Sequence, residues 1–290
     1  MTSRPHGLAC AMLVALCGMP GASGTLATEA VQFAPHRAVY ELAMASSTAA
    51  SGVQGVTGRM VYELNGSPCE GYTQTMRFVT IMTNQEGTET LSDLRTSSWE
   101  EADGKKLRFS SMQYQNDELA DSSQGDAARS KGAMPVVGVD LIKPAKKRLS
   151  LPTDTYFPMQ HASSLVLAAK SGVKLFAANL YDGSEKGEKY YLTSTVIGKK
   201  YPAGAGPSAG RIKGADRLAG VESWPMTISY FEAGKDRQDQ IPTYELSFRY
   251  FENGVTSDLK IDYGEFAIKG DLKELTFLPP GRCSAIGGAR

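Results

Sequence analysis

Histidine and cysteine are scarce in this chain. It holds three histidines and four cysteines in 290 residues, and His6, Cys10 and Cys17 all lie before residue 20. That leaves His36, His161, Cys69 and Cys283, far apart from one another. A zinc site needs several ligands at short characteristic spacings, so no metal centre is expected. A Ser-His-Asp hydrolase would need one of the two remaining histidines, and no G-x-S-x-G turn occurs. His161 is the stronger candidate general base, but a histidine in the first turn of a helix reads more simply as a packing or hydrogen-bonding residue. No catalytic residue and no cofactor is assigned.

Other absences narrow the classes further. Lys plus Arg and Asp plus Glu number 31 each, and no basic cluster exceeds Lys146-Lys147-Arg148. Nucleic acid is therefore not an expected partner. Beyond the N-terminus no apolar run approaches the roughly 20 residues that span a bilayer as a helix. GAGPSAG (204–210) fits neither phosphate-loop spacing, and Pro207 removes a backbone donor. YDGSEKGEK (181–189) lacks EF-hand spacing and reads as a solvated hairpin turn.

What is present begins with an export signal. Arg4 and His6 precede an apolar run from Leu8 to Met19, Pro20-Gly21 ends it, and small residues follow. That three-part layout predicts a signal peptide over 1–30, cleaved between about residues 23 and 30. Cys17 follows Leu16 rather than a small residue, which argues against a lipid anchor. The mature chain is expected to be periplasmic, without a transmembrane span. Its two cysteines, Cys69 and Cys283, then read as one disulfide, since an even count in an exported chain favours pairing.

The remaining 31–290 read as one mainly β domain. RAVYELAM, GRMVYELN, YTQTMRFVTIMT, ETLSDLRTSSWEE and KKLRFSSMQYQ follow one another with Gly, Asn or Asp turns between. Further strand-like segments run from GVKLFAANLY to ELTFLP. Short alternating segments at this spacing predict antiparallel sheet closing toward a barrel. Tyr244, Leu246, Phe248 and Tyr250 occupy one face of such a strand, and Glu245, Ser247 and Arg249 the other. SSQGDAARSKGA (122–133) and YPAGAGPSAG (201–210) read as connectors. One segment differs: residues 156–171 place Met159, Ala162, Leu165 or Val166, and Ala169 at helical spacing. Asp154 or Thr155 is the expected cap, Pro158 suits the first turn and Gly172 the stop. A single amphipathic helix among so many strands is expected to cover or plug the sheet.

APHRAVYEL (34–42), FPMQH (157–161), LYDGSE (180–185), WPMTISYFE (224–232) and ENGVTSDLKIDYGEFAIKG (252–270) together resemble the cell-envelope integrity protein EipB family. The likeness runs in order over about residues 33–283. It implies a periplasmic protein folded as an antiparallel spiral or open β-barrel with a helix packed against or inside it. It also implies pairing of Cys69 with Cys283, a role in envelope integrity, and no established catalysis. The spiral resembles the half-barrels of periplasmic lipoprotein carriers, a likeness of fold that does not by itself transfer a ligand. Two functional readings follow. The first is a non-enzymatic factor acting through a periplasmic protein partner. The alternative is a carrier that takes a lipid or lipoprotein acyl chain into an apolar groove. A continuous apolar cavity would favour the carrier, and a filled interior with an exposed apolar patch would favour the scaffold.

Overall fold

A computed structural model describes residues 31–130, 136–204, 212–234 and 241–281. Within it, fifteen strands form one sheet. The first eight are β1 (His36–Ser47), β2 (Val53–Ser67), β3 (Gly71–Asn84), β4 (Glu89–Glu100), β5 (Lys106–Gln115), β6 (Glu118–Arg129), β7 (Val137–Lys143) and β8 (Lys147–Leu151). After the two-residue β9 (Thr155–Tyr156) comes the helix α1 (Pro158–Lys170). The remainder are β10 (Leu175–Leu180), β11 (Tyr191–Ile197), β12 (Ser223–Glu232), β13 (Tyr244–Phe251), β14 (Thr256–Asp262) and β15 (Phe266–Phe277).

The topology dictates the curvature. From β1 the sheet runs through successive neighbours to β8 on one side, and through β15, β14 and onward to β9 on the other. Every pairing is antiparallel except the short β9–β10 contact. Laid flat, fourteen inter-strand steps would separate β8 from β9 by about 67 Å. Only residues 152–154 join those two edges, a span of at most about 14 Å. The sheet therefore has to curl until its edges come together, giving a nearly closed barrel. This matches the mainly β, antiparallel open-barrel architecture expected from the strand pattern.

Local chemistry sets the turns and the helix ends. Asn116 and Asp117 both hold positive φ, 48° and 66°, which suits the two-residue hairpin between β5 and β6. Pro158 opens α1, where its missing N–H costs nothing. The expected cap from Asp154 or Thr155 is not what the structure contains. Phe157 holds the N-cap position and offers no side-chain acceptor. Glu100, at the end of β4, supplies the acceptor instead, taking the N–H of Met159 at 2.6 Å and of Gln160 at 2.9 Å. At the other end the N–H groups of Gly172 and Val173 donate to Ala169 O and Ala168 O, with Gly172 left-handed at φ 78°.

One connector reading and one turn reading are corrected. Residues 122–129 belong to β6, paired to both β5 and β7; residues 131–135 lie outside the described set. The inward positions Ser123, Gly125 and Ala127 are small because Phe109 and the 181–187 loop pack directly on them. A strand built that way lacks the large apolar alternation by which strands are recognised. Residues 181–189 are likewise no solvated turn. Tyr181 is fully buried, stacks edge-on with Phe109, and donates its hydroxyl to Gly187 O at 2.8 Å. Gly183, with φ 79°, lies so close to Phe109 that a Cβ would overlap the ring. This second, smaller core of Leu107, Phe109, Val139, Leu141, Phe157 and Tyr181 locks β5–β8 onto the 181–187 loop. Part of the other connector, residues 205–210, lies outside the described set.

Candidate functional site: an apolar barrel interior floored by a helix

The barrel encloses a cavity of about 630 Å³. Strand periodicity builds its wall: Gln74, Met76, Phe78, Thr80 and Met82 alternate along β3, and Tyr244, Leu246, Phe248 and Tyr250 along β13. The nine-residue stretch of β3 that lines it, Gln74 to Met82, corresponds to about 26 Å of strand. His161, Ala162 and Leu165 of α1 form part of the lining at one end. Among the described residues no Lys, Arg, Asp or Glu lines this cavity.

The polar groups within the wall mostly satisfy one another near the helix. Gln74 Nε2 donates to Tyr62 Oη at 3.1 Å and lies 2.8 Å from Met159 Sδ. Tyr40 donates its hydroxyl to Thr256 O at 2.8 Å. Burial pushes the Tyr62 phenol up to about 12 and raises Tyr230 and Tyr244 as well, so all three are neutral hydroxyls at ordinary pH. Farther along the wall, Tyr230 and Tyr244 stack with ring centroids 4.3 Å apart, and Tyr191 meets Tyr230 edge-on at 5.5 Å. Tyr263 and Phe266 stack at 4.9 Å beside them.

His161 lies buried at the floor. Its Nε2 is 3.4 Å from Thr193 Oγ1, and that hydroxyl donates to Ala178 O at 3.0 Å. Burial lowers the imidazole to about 4, leaving it neutral at pH 7. The threonine proton is engaged by a backbone carbonyl, and Tyr156 and Phe176 pack on the ring. The arrangement holds a side chain in place. His36, the other candidate, is buried with Nδ1 2.7 Å from Ala34 O.

The floor is fastened from beneath by two residues that the sequence did not single out. Glu100 caps α1 as described. Arg129 donates to Gly104 O, Thr153 O, Thr155 O and Gln160 Oε1, and its guanidinium lies 5.1 Å over the Phe157 ring. It ties β6 to the chain that crosses between the sheet's two edges. Glu100 and Arg129 stand in unremarkable segments; only the fold brings them to one helix end.

A family model described as EipB-like matches residues 27–279. The chain belongs to the EipB-like family. This EipB-like chain is 38% identical over 265 residues to the cell envelope integrity protein EipB of Brucella abortus (strain 2308), covering 91% of each sequence. It is also similar to a crystal structure of a beta-barrel-like protein of a domain of unknown function from Brucella abortus, at 37% identity and a TM-score of 0.79. That match covers 86% of this chain and all of the other.

Of the cysteines expected to pair in this EipB-like chain, Cys69 sits in the turn between β2 and β3, whereas Cys283 lies outside the described residues. The segment 1–30, expected as a signal peptide, lies outside them too. Among the described residues no helix is long and apolar enough to cross a membrane, and no cluster of three or more metal-ligating side chains occurs.

Proposed function

We infer an envelope role for this chain, a reading that its similarity to a cell envelope integrity protein supports. We propose that it acts in the periplasm as a non-enzymatic binding protein that shelters an apolar chain, such as the acyl tail of a lipid or lipoprotein, inside the barrel. The observation that carries this reading is the cavity of about 630 Å³, which lies within the roughly 300–1,000 Å³ typical of ligand pockets and is lined mainly by Met, Phe, Leu, Ile and Tyr. A continuous apolar interior is the feature that favours the carrier over the scaffold, so the order of the two readings reverses here. Its test is uptake of N-phenyl-1-naphthylamine, a neutral apolar fluorophore. Saturable one-to-one enhancement that Leu246→Trp abolishes is expected, because the indole would occupy the cavity. No saturable enhancement in the native protein would overturn the reading.

The protein-partner reading keeps an observation of its own. Leu175 and Val196, directly paired across β10 and β11, are 62% and 56% exposed on the outer face. Leu175→Asp with Val196→Asp should impair envelope function while leaving fluorophore uptake intact, if a periplasmic protein docks there. An unimpaired double variant would remove that reading.

A further inference from the structure

A second chamber of about 400 Å³ adjoins the apolar cavity and shares Met82, Ser92 and Gln113 with it. Its character differs. Thr83, Thr88, Thr90, Ser92, Gln113 and Gln115 contribute uncharged hydroxyl and amide groups. It lies where β3 ends, β4 begins and β5 ends, beyond Met82 and away from the α1 floor. Gln113 Nε2 donates to Ser92 Oγ at 2.7 Å, while the side chains of Thr83, Thr90 and Gln115 hydrogen-bond to no other described residue. An apolar bore thus opens into a compartment with hydroxyl and amide groups to offer.

The surroundings of that compartment carry one sign of charge. Glu86 and Glu89 at the β3–β4 connection, and Asp117 and Glu118 at the β5–β6 connection, are exposed. Neither stretch that forms the chamber, 78–94 or 109–127, contains a lysine or arginine. On β3 and β4 the basic residues are Arg77 and Arg95, both bound to Asp93, whose neighbours Ser92 and Leu94 are the ones that line the cavities; Lys106 and Arg108 of β5 stand at the opposite end of that strand and pair with Glu101 and Asp126. An anionic head placed in the chamber would find no counter-charge there and would meet like charges within a screening length of about 10 Å. Hydroxyls meet no such penalty, because Thr, Ser and Gln each offer donor and acceptor together.

We infer that the chain's ligand is an amphiphile with an uncharged, hydroxyl-bearing head, of glyceryl or glycosyl type, seated among Thr83, Thr90, Gln113 and Gln115 with its tail in the barrel, and that heads carrying phosphate or carboxylate are disfavoured. This rests on the reading of the barrel as an apolar-chain site and specifies the head that site accepts.

Isothermal titration with three decyl amphiphiles below their micelle concentrations separates the terms: decyl maltoside, decyltrimethylammonium and decyl phosphate. The maltoside should bind about tenfold or more tightly than the phosphate, with the ammonium between them. Thr90→Val with Gln115→Leu, both outside the apolar cavity's lining, should weaken the maltoside alone and leave fluorophore uptake unchanged. Glu86→Lys with Glu89→Lys should strengthen the phosphate. Equal affinities, a preference for the phosphate, or an ammonium that binds tightest would each overturn the head assignment. Uptake of the fluorophore without binding of any decyl compound would also overturn it and leave the cavity reading standing. Failure of the fluorophore and all three amphiphiles would remove both.

Discussion

Glu100 and Met159 stand 59 positions apart, yet Glu100 Oε2 accepts the Met159 N–H at 2.6 Å. Glu100 is 3% exposed and also accepts from Gln160, so one carboxyl satisfies two of the N–H groups that a helix leaves open at its start. Because α1 floors the cavity, this contact fixes the depth of the site as well as the stability of the helix.

Removing it should therefore be costly. Glu100→Ala is expected to destabilise the protein by about 2 kcal/mol through two buried, unsatisfied donors. Chemical denaturation measures this, and a loss near zero would contradict the capping role.

Glu100 also gives stability a pH dependence. Burial, opposed by the two N–H bonds and then by Arg129, raises the carboxyl from 4.5 to about 7. The native state then retains a proton that the unfolded chain has released, so this group's contribution falls as pH rises from about 4.5 through about 7. Subtracting the melting-temperature profile of Glu100→Gln from that of the native protein should isolate a slope of that sign in that window. A flat difference would refute it.

A second carboxylate works in the opposite sense. Arg77 and Arg95 are directly paired on β3 and β4, a like-charge pair that Asp93 bridges at 2.8 and 2.7 Å. Hydrogen bonds first from Arg77 and then from Arg95 hold the Asp93 carboxyl down to about 2. Its stabilisation is complete above about pH 4 and is lost as pH falls through about 2. Both arginines are substantially exposed, so Asp93→Asn should cost only about 1 kcal/mol at neutral pH, and less in high salt. A salt-independent loss would contradict the electrostatic account.

The barrel was legible where strands alternate between large apolar and polar residues. Tyr244 to Tyr250 shows that alternation in the sequence, and those same side chains line the cavity. β6 was not legible, because packing against Phe109 demands Ser123, Gly125 and Ala127 where an alternating strand would carry bulk. The helix was legible from its apolar spacing and Pro158, but its cap was not: Glu100 is separated from α1 by five intervening strands and becomes adjacent only when the sheet curls. The polar chamber is built from threonines and glutamines of three strands, residue types that look alike on a solvated face and in a site.

We propose that Cys69 and Cys283 form a disulfide. The Gly281 N–H donates to Gly66 O at 3.3 Å, which supports the pairing by bringing the chain two residues before Cys283 to the turn that carries Cys69. The cysteines are 214 positions apart, and closing so long a loop stabilises by up to about 5 kcal/mol. Cys69→Ser, and dithiothreitol on the native protein, should each lower the melting temperature. No change in either would contradict the bond.

The most direct test of the central claim is native mass spectrometry of protein purified gently from periplasm and then incubated with monoolein, a neutral glyceryl lipid. The account predicts one bound lipid per chain, present on purification or acquired on incubation, and absent from Leu246→Trp. A native protein that keeps its bare mass throughout would contradict it.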